Sequence, residues 1–375
     1  MRMIKSNYIP HKIYITQESL RFPLTHKIIS KLKQIPHEII NNHQSLIEDF
    51  KCSEDPVSQG KKFILLAQQK GEFVKPCPCT PYYLGCNYFI INLELNCPLD
   101  CSYCILQSYL SNPLITIHVN LEDLWRELDV FIAKRKGSYF RIGTGELGDS
   151  LALDNITELS QDLISYFRQK PHVWFELKTK TVNISHLRKL KPPENVVVSW
   201  SLNSSIMAQE QEKGAPSIAE RILAAKDVSE RGFWVGFHFD PLIHYQGWEK
   251  GYAEVVKMLF RQINPAKIAW ISLGSLRFPP DLKAIITKRF PKAKIFFDEF
   301  IKGLDGKYRY LKSLRLKLYS HIVKSIVKHG GSKIPLYFCM ESKDIWRSVL
   351  GWEPKGKKEI EQFLSCPLAD KKLVK

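Results

Sequence analysis

Three cysteines stand close together in the run NCPLDCSYCILQ. Cys97, Cys101 and Cys104 are spaced as C-x3-C-x2-C and directly follow the apolar stretch FIINLEL. A structural zinc or a closed iron–sulfur site normally takes four protein ligands. Three thiolates on one tight loop leave one coordination position open. The spacing therefore favours a [4Fe–4S] cluster with one iron accessible to a small ligand, and the alternative is a zinc loop completed by a distant Cys or His.

Composition limits the classes of protein that remain. The chain has 375 residues, 44% of them hydrophobic, which predicts a sizeable core and more than one lobe. No apolar run approaches the length of a membrane span, and the N-terminus lacks the apolar core of a signal peptide, so we expect a cytoplasmic protein without membrane association. Nine cysteines with one tight group suit metal ligation in a reducing compartment. The net charge of +17 favours a nucleic acid as partner, although basic faces also serve solubility.

From about residue 87 onward, strand and helix patterns alternate. Apolar strand patterns cover 88–93, 139–142, 172–177, 195–201, 233–239 and 268–274, and helical patterns cover 121–135, 156–169, 184–190, 217–231, 251–263 and 281–290. Strands separated by crossover helices predict an α/β fold with a parallel sheet. A full eight-unit barrel takes about 250 residues, so we predict a partial (βα)6 barrel over 87–300. An N-terminal α/β extension (1–86) precedes it, and a basic C-terminal region (301–375) follows.

Polar residues follow the predicted strands at the rim where such barrels carry their reactive groups. The cysteine loop comes after the first strand. The later strands are followed by Glu146 in GTGE (143–146), by Lys180, by Ser201 with Asn203, and by His238 with Asp240. Glycines let backbone approach a ligand closely, and lysine supplies a compact cation. For each of these residues the alternative is an ordinary turn, cap or strand end.

The cysteine loop resembles the signature of the radical SAM enzymes, in which S-adenosylmethionine (SAM) occupies the fourth iron. Those proteins carry a Gly-Gly-Glu-like motif after the second strand that binds the amino group of SAM. The resemblance implies that Glu146 takes this role, and it allows Lys180 to pair with the SAM carboxylate. Ser201 and Asn203 would then hydrogen-bond other polar groups of SAM.

Other segments are similar to the spore photoproduct lyase family of radical SAM enzymes: YITQESLRFPLTHKI, ITIHVNLEDLW, GWEKGY and RFPKAKIFFDE. The resemblance implies a partial barrel with C-terminal elements that bind DNA. In that family the reduced cluster cleaves SAM to methionine and a 5′-deoxyadenosyl radical, which takes a hydrogen from a thymine dimer lesion. It also implies a reducing partner such as flavodoxin or ferredoxin. Tyr103 matches the tyrosine within the loop, and we assign it, with Glu146, a catalytic role.

Two departures from the family concern hydrogen transfer. The lyases have a cysteine after the second strand, near Glu146 here, and a tyrosine after the last cluster cysteine, where this chain has Ile105. Neither residue offers a weak S–H or phenolic O–H bond, so we expect SAM cleavage with poor repair of spore photoproduct. An upstream thiol in KPCPCTPYYLGCNY, from Cys77, Cys79 or Cys86, is a possible substitute. The alternatives for this group are a second metal site and a plain linker.

The segment 302–333 carries nine Lys or Arg and one acid, Asp305. Cations suit phosphates, and tyrosines stack on bases. We therefore predict nucleic-acid contacts at Lys307, Tyr308, Arg309, Tyr310 and Lys312, with a hairpin turn at Asp305-Gly306. In the family a basic hairpin in this region opens the duplex. The alternative is a solvated helix with a basic face.

The leading hypothesis is a radical SAM enzyme that acts on a nucleic acid. A second hypothesis keeps the radical chemistry and changes the substrate to a protein or small molecule. A third is an iron–sulfur or zinc protein that binds nucleic acid without turnover.

Overall fold

The computed structural model describes residues 8–80 and 82–373, with side chains described up to residue 365. The strands are β1 Lys12–Thr16, β2 His37–Ile40, β3 Phe63–Ala67, β4 Val74–Pro76, β5 Phe89–Ile91, β6 Glu94–Leu95, β7 Asp100–Cys101, β8 Ile115–His118, β9 Phe140–Gly143, β10 Val173–Thr179, β11 Val196–Ser201, β12 Glu212–Lys213, β13 Trp234–Leu242, β14 Ile268–Ser275, β15 Arg277–Phe278, β16 Phe300–Lys302, β17 Tyr308–Tyr310 and β18 Leu336–Phe338. The helices are α1 Pro23–Lys31, α2 His43–Lys51, α3 Pro56–Gly60, α4 Leu106–Tyr109, α5 Leu121–Ala133, α6 Asp154–Thr157, α7 Leu159–Arg168, α8 Ser205–Gln211, α9 Ile218–Glu230, α10 Trp248–Gln262, α11 Pro280–Arg289, α12 Lys312–Gly330, α13 Lys343–Leu350 and α14 Lys357–Leu373.

The main sheet has eight strands in the order β18-β14-β13-β11-β10-β9-β5-β4. Every neighbouring pair is parallel except β4 with β5. The six predicted strands correspond to β5, β9, β10, β11, β13 and β14, so the prediction of a parallel α/β sheet is confirmed. The sheet curls into a half-barrel, and its strands read as apolar runs because the connecting helices pack against them. β18 is a further parallel strand that the sequence did not reveal.

A second, five-stranded sheet has the order β2-β1-β3-β8-β6, with only the β6–β8 pair antiparallel. It combines strands of the predicted N-terminal extension with β6 and β8, which flank the cysteine loop. The main sheet in turn includes β4 from before residue 87 and β18 from after residue 300. The five-stranded sheet thus crosses the first predicted boundary, and the main sheet crosses both. The division into 1–86, 87–300 and 301–375 stays a prediction.

The predicted hairpin is present where β16 and β17 pair antiparallel, with Gly306 at a φ of 78° in the turn. Such a φ favours glycine, because any other side chain is strained there. β17 also pairs with β15, which places the hairpin directly after the end of β14. The basic helix α12 follows. Among the helices in the described residues, none has the length and apolar character needed to cross a membrane.

Candidate active site

The cysteine loop lies at the carboxyl end of the main sheet and opens onto a cavity of about 350 Å³. Cys97, Cys101 and Cys104 all line this cavity. The loop is fixed by the short β7, which pairs antiparallel with β12 so that Cys101 lies opposite Glu212. Parallel strands end at one edge of a sheet, and this edge supplies most of the other lining residues.

A buried ion pair holds the loop in place. The side chains of Arg221 and Glu212 are 0% and 1% exposed and form a salt bridge. Glu212 also accepts a hydrogen bond from the Tyr103 hydroxyl. Arg221 Nη1 donates to the Ser201 carbonyl at 3.0 Å, which ties the pair to the end of β11. Removing either partner would leave a buried charge uncompensated, which is strongly destabilising. Tyr103 is thus oriented by a carboxylate beside the cluster loop.

One wall of the cavity comes from β10 and the loop after β9. Lys178 and Lys180 alternate along the β10 edge, and both line the cavity. Lys178 forms an ion pair with Glu146. The Lys180 backbone N–H donates to Asp149 Oδ2 at 2.7 Å, and its ammonium lies 5.7 Å from the centre of the Tyr103 ring. Burial lowers the pKa of Lys180, but the charges of Cys101 and Glu212 outweigh this effect and raise it overall. Lys180 is therefore a cation that faces the cavity.

The glycines of the GTGE turn are required by close packing. A Cβ on Gly143 would lie 2.3 Å from the Glu176 carbonyl oxygen. A Cβ on Gly145 would lie 2.6 Å from the Lys178 Cβ. The turn therefore lies directly against β10 and delivers Glu146 to the cavity, beside Lys178 and away from the helices.

A second charged pair, Arg277 with Asp240, also lines the cavity and lies beside the thiol of Cys339. Arg277 binds both carboxylate oxygens of Asp240 at 3.1 Å, and its Nη2 lies 3.2 Å from the Cys339 Sγ. Cys77 lines the cavity together with Arg277, Asp240 and Lys307. Cys79 and Cys86 are not among the lining residues. Of the three upstream thiols, Cys77 is therefore the one that reaches the cavity of the cysteine loop.

Three predicted site residues are buried and bound by neighbouring residues in this structure. Asn203 is 1% exposed and is used by its neighbours, since its amide donates to the Pro241 carbonyl and its oxygen accepts from Tyr252. Arg309 is 1% exposed and pairs with Asp305. Tyr310 is 0% exposed, and its hydroxyl accepts from the His244 backbone. These side chains therefore take part in the scaffold, and the roles predicted for Asn203 in SAM binding and for Arg309 and Tyr310 in nucleic-acid contact stay predictions.

The remaining predicted residues divide by position. Glu146, Lys180 and Ser201 meet in the cavity with the cysteines, as expected from the strand ends. Lys307 also lines the cavity, whereas Lys312 is exposed and paired with Asp344 at 3.0 Å. Tyr308 is partly exposed and stacks on Phe278. The SAM and nucleic-acid roles of these residues stay predictions.

Sequence reasoning missed Lys178, Asp149 and Arg277. The two-residue spacing of Lys178 and Lys180 in ELKTK was the available signal for Lys178, because alternate strand residues share a face. Arg277 follows the sixth strand without any motif. Asp240 was noted with His238, but they face different partners, since His238 Nε2 binds Glu176 at 2.8 Å in the interior.

The donor set fits an iron–sulfur cluster. Three thiols on one loop share a cavity with lysine and arginine cations, which suits a thiolate-ligated cluster and an anionic carboxylate beside it. In the described part of the chain, no three or more Cys, His, Asp or Glu side chains are already gathered closely enough to hold a metal ion. Cluster binding therefore requires the thiols to lose their protons and converge, which couples metal binding to local structure.

Comparison with known proteins identifies the family. A family model described as spore photoproduct lyase matches residues 8–330. The chain belongs to the spore photoproduct lyase family. Members of this family are radical SAM lyases, so the chain is an enzyme of that class and carries the family's association with DNA repair. The predicted family membership is confirmed.

Two members of the spore photoproduct lyase family show how much of this chain is similar in sequence. The spore photoproduct lyase of Geobacillus sp. (strain Y412MC61) is 25% identical over 305 residues, which cover 78% of this chain and 86% of the relative. The spore photoproduct lyase of Bacillus subtilis (strain 168) is 25% identical over 340 residues, which cover 85% of this chain and 96% of the relative. The likeness therefore extends well beyond the cysteine loop.

Solved structures of spore photoproduct lyase share the fold. A cysteine-to-alanine mutant superposes with a TM-score of 0.79 and 24% identity, covering 88% of this chain and 99% of the mutant. A double mutant with bound AdoMet and dinucleoside spore photoproduct gives a TM-score of 0.77 at 23% identity, with the same coverage. The predicted partial radical SAM barrel is thereby confirmed as the fold.

The cavity geometry predicts a direct role for Lys180 in SAM binding. Lys180→Ala should weaken SAM binding roughly ten- to hundredfold, because a lost charged hydrogen bond costs about 1.5–3 kcal/mol. Iron and sulfide content should stay unchanged. Equilibrium SAM binding to the reconstituted protein is the measurement, with the exposed Lys189→Ala as control. An unchanged dissociation constant in Lys180→Ala would contradict the assignment.

Proposed function

We propose that this chain uses a [4Fe–4S] cluster on Cys97, Cys101 and Cys104 and SAM to start radical repair of a thymine dimer lesion in DNA. The observation that carries the proposal is the shared cavity, which combines the three cysteines with Glu146, Lys180 and Ser201 and with the thiol Cys77. The names of its relatives, and the dinucleoside spore photoproduct bound to one of them, support a lesion of this kind as substrate. A one-electron donor such as flavodoxin or ferredoxin would reduce the cluster.

We assign each of these cavity residues a separate role in SAM binding and cleavage. The cluster, when bound and reduced, supplies the electron that cleaves SAM into methionine and the 5′-deoxyadenosyl radical. Lys180 would pair as a cation with the SAM carboxylate, and Glu146, held by Lys178, would accept from the SAM amino group. Ser201 contributes its hydroxyl. Tyr103 closes the cavity beside the cysteines and excludes water, with its hydroxyl held by Glu212.

Cys77 supplies the hydrogen atom that the product radical needs. Burial raises the pKa of Cys77 far above its ordinary value, and the nearby Glu146 carboxylate adds to this effect. The thiol therefore keeps its S–H bond at neutral pH, which hydrogen-atom donation requires. The hydrogen moves from sulfur to the carbon radical and leaves a thiyl radical. One electron from the reductant and one proton then restore the thiol.

This role for Cys77 replaces the missing donor. Glu146 occupies the position near the cysteine of the lyases, and its carboxylate is engaged by Lys178. Cys79 packs closely against Gly85, because a Cβ placed on Gly85 would lie 2.5 Å from the Cys79 sulfur. Cys86 packs against the hydrophobic core. Of the three thiols considered from the sequence, Cys77 is the one positioned to meet a substrate radical.

The hairpin offers a surface for DNA beside the cavity mouth. Leu304 at its tip is 76% exposed, and Lys302 and Lys312 are exposed on either side of it. Lys307, within the hairpin, lines the cavity itself. An exposed apolar tip flanked by cations suits a duplex that is entered at the bases and held at the phosphates.

DNA binding should depend on salt through these exposed cations. On duplex DNA the slope of log affinity against log salt concentration is about −0.9 for each phosphate that the protein neutralises. A variant that loses one such contact should therefore have a slope that is less steep by about 0.9. The double variant Lys302→Glu, Lys312→Glu should therefore bind more weakly and with a flatter slope in fluorescence anisotropy titrations. Lys189→Glu, which changes an exposed lysine elsewhere, should bind like the parent. Equal binding by the double variant, or no binding by the parent, would favour a protein or small-molecule substrate.

Hydrogen return should depend on Cys77 alone among the upstream thiols. Cys77→Ala should still cleave SAM, but thymine recovered per SAM consumed should fall at least tenfold, because the product radical lacks its donor. The measurement is product analysis on a defined spore-photoproduct oligonucleotide, with Cys79→Ala as the matched control. Full recovery in Cys77→Ala would exclude this donor, and low recovery in the parent would mean that no substitute donor operates.

A further inference from the structure

Lys61 is a buried lysine beside the cysteine loop. It follows α3 in the chain, and its side chain is 7% exposed. Its ammonium donates to the Leu99 carbonyl and lies 3.4 Å from Asp100 Oδ1. Leu99 and Asp100 stand between Cys97 and Cys101 in the chain, so this cation contacts the loop that carries the cluster ligands. Lysine is almost never buried to this extent without a partner.

The anionic partner of Lys61 is shared with a second cation. Arg289 Nη2 binds the two carboxylate oxygens of Asp100 at 3.0 and 3.1 Å. Arg289 Nε binds Asp55 at 2.7 Å, at the start of the helix that leads to Lys61. Asp55 and Asp100 together balance the charges of Arg289 and Lys61, and Lys61 is the cation that donates to a backbone carbonyl between Cys97 and Cys101.

Lys61 keeps its charge in this setting. Its ammonium donates to the Leu99 carbonyl and lies beside the Asp100 carboxylate, and both acceptors favour the charged form. Lys180 is a second cation close to Cys101 and faces the loop from the cavity. The two lysines differ in access, because Lys180 lines the cavity and Lys61 does not. Lys180 is therefore placed for a bound ligand, and Lys61 for the cluster.

We propose that Lys61 is a positioning residue whose buried charge raises the reduction potential of the cluster held by Cys97, Cys101 and Cys104. Reduction adds one electron to the cluster, and a fixed positive charge in a low-dielectric interior stabilises the added negative charge. The electron comes from the one-electron donor that reduces the enzyme. This role concerns the first electron transfer, so it goes beyond the proposed DNA reaction and does not depend on the substrate.

The test compares three variants of the reconstituted full-length protein in a potentiometric titration followed by electron paramagnetic resonance. At the midpoint potential of the parent, Lys61→Met should show a ratio of reduced to oxidised cluster at least tenfold lower, which is about 59 mV for one electron. Lys61→Arg, which retains the charge, should return towards the parent. Lys62→Met, which changes the neighbouring lysine bound to Gln59 at 3.0 Å, should titrate like the parent.

A purely structural role gives different results. If Lys61 only clamps the loop, Lys61→Met should lose iron and sulfide, and whatever cluster it retains should titrate at the parent potential. A parent-like potential in Lys61→Met would overturn the proposal. Asp100→Asn provides a second variant that retains Lys61, and removal of the anion should shift the potential upward. An unshifted potential in Asp100→Asn would overturn the proposal as well, even where Lys61→Met does not hold a cluster.

Discussion

The buried ion pair between Arg221 and Glu212 connects the two parts of the molecule on which the chemistry depends. Glu212 lies opposite Cys101 in the β7–β12 pairing and accepts from the Tyr103 hydroxyl. Arg221 donates to the carbonyl of Ser201 at the end of β11. A loop of three cysteines has little intrinsic structure, and a cluster with an open iron needs its ligands in fixed places. The pair provides this constraint by joining the loop to the edge of the main sheet.

The parallel sheet then determines what surrounds the loop. Its strands end at one edge, and the charged residues at that edge are arranged as pairs, Lys178 with Glu146 and Arg277 with Asp240. Paired charges can be held in a closed cavity at moderate cost, whereas isolated ones cannot. The cavity thus keeps charged groups available for the proposed binding of SAM. At the same time it presents Cys77 as a neutral thiol.

Much of the fold could be predicted because its signals are local in the sequence. Apolar runs separated by helical periodicity gave the six central strands, and the strand ends gave Glu146, Lys180 and Ser201 as neighbours of the cysteines. β18 was missed because a short strand after a long basic helix has no distinctive pattern. Its place in the sheet follows from pairing with β14.

Side-chain burial is the feature of the site that the sequence could not predict. We predicted Arg309 and Tyr310 as nucleic-acid contacts because their charge and aromatic character are known from the sequence. Their partners in the folded protein, Asp305 and His244, could not be predicted from it. Asn203 follows the end of a strand, as predicted. Its amide group, however, donates to the Pro241 carbonyl and accepts from the Tyr252 hydroxyl. Lys61 stands far from the cysteines in the chain, so only the folded structure reveals that the two are close.

The most direct test of the account is repair carried out in D2O. Thiol hydrogens exchange with solvent, whereas carbon-bound hydrogens of SAM do not. The reduced protein is incubated anaerobically with SAM and a defined spore-photoproduct oligonucleotide, and the products are analysed by mass spectrometry. The account predicts 5′-deoxyadenosine together with thymine that carries deuterium from an exchangeable donor. Cleavage of SAM without recovery of thymine, or thymine without deuterium, would contradict it.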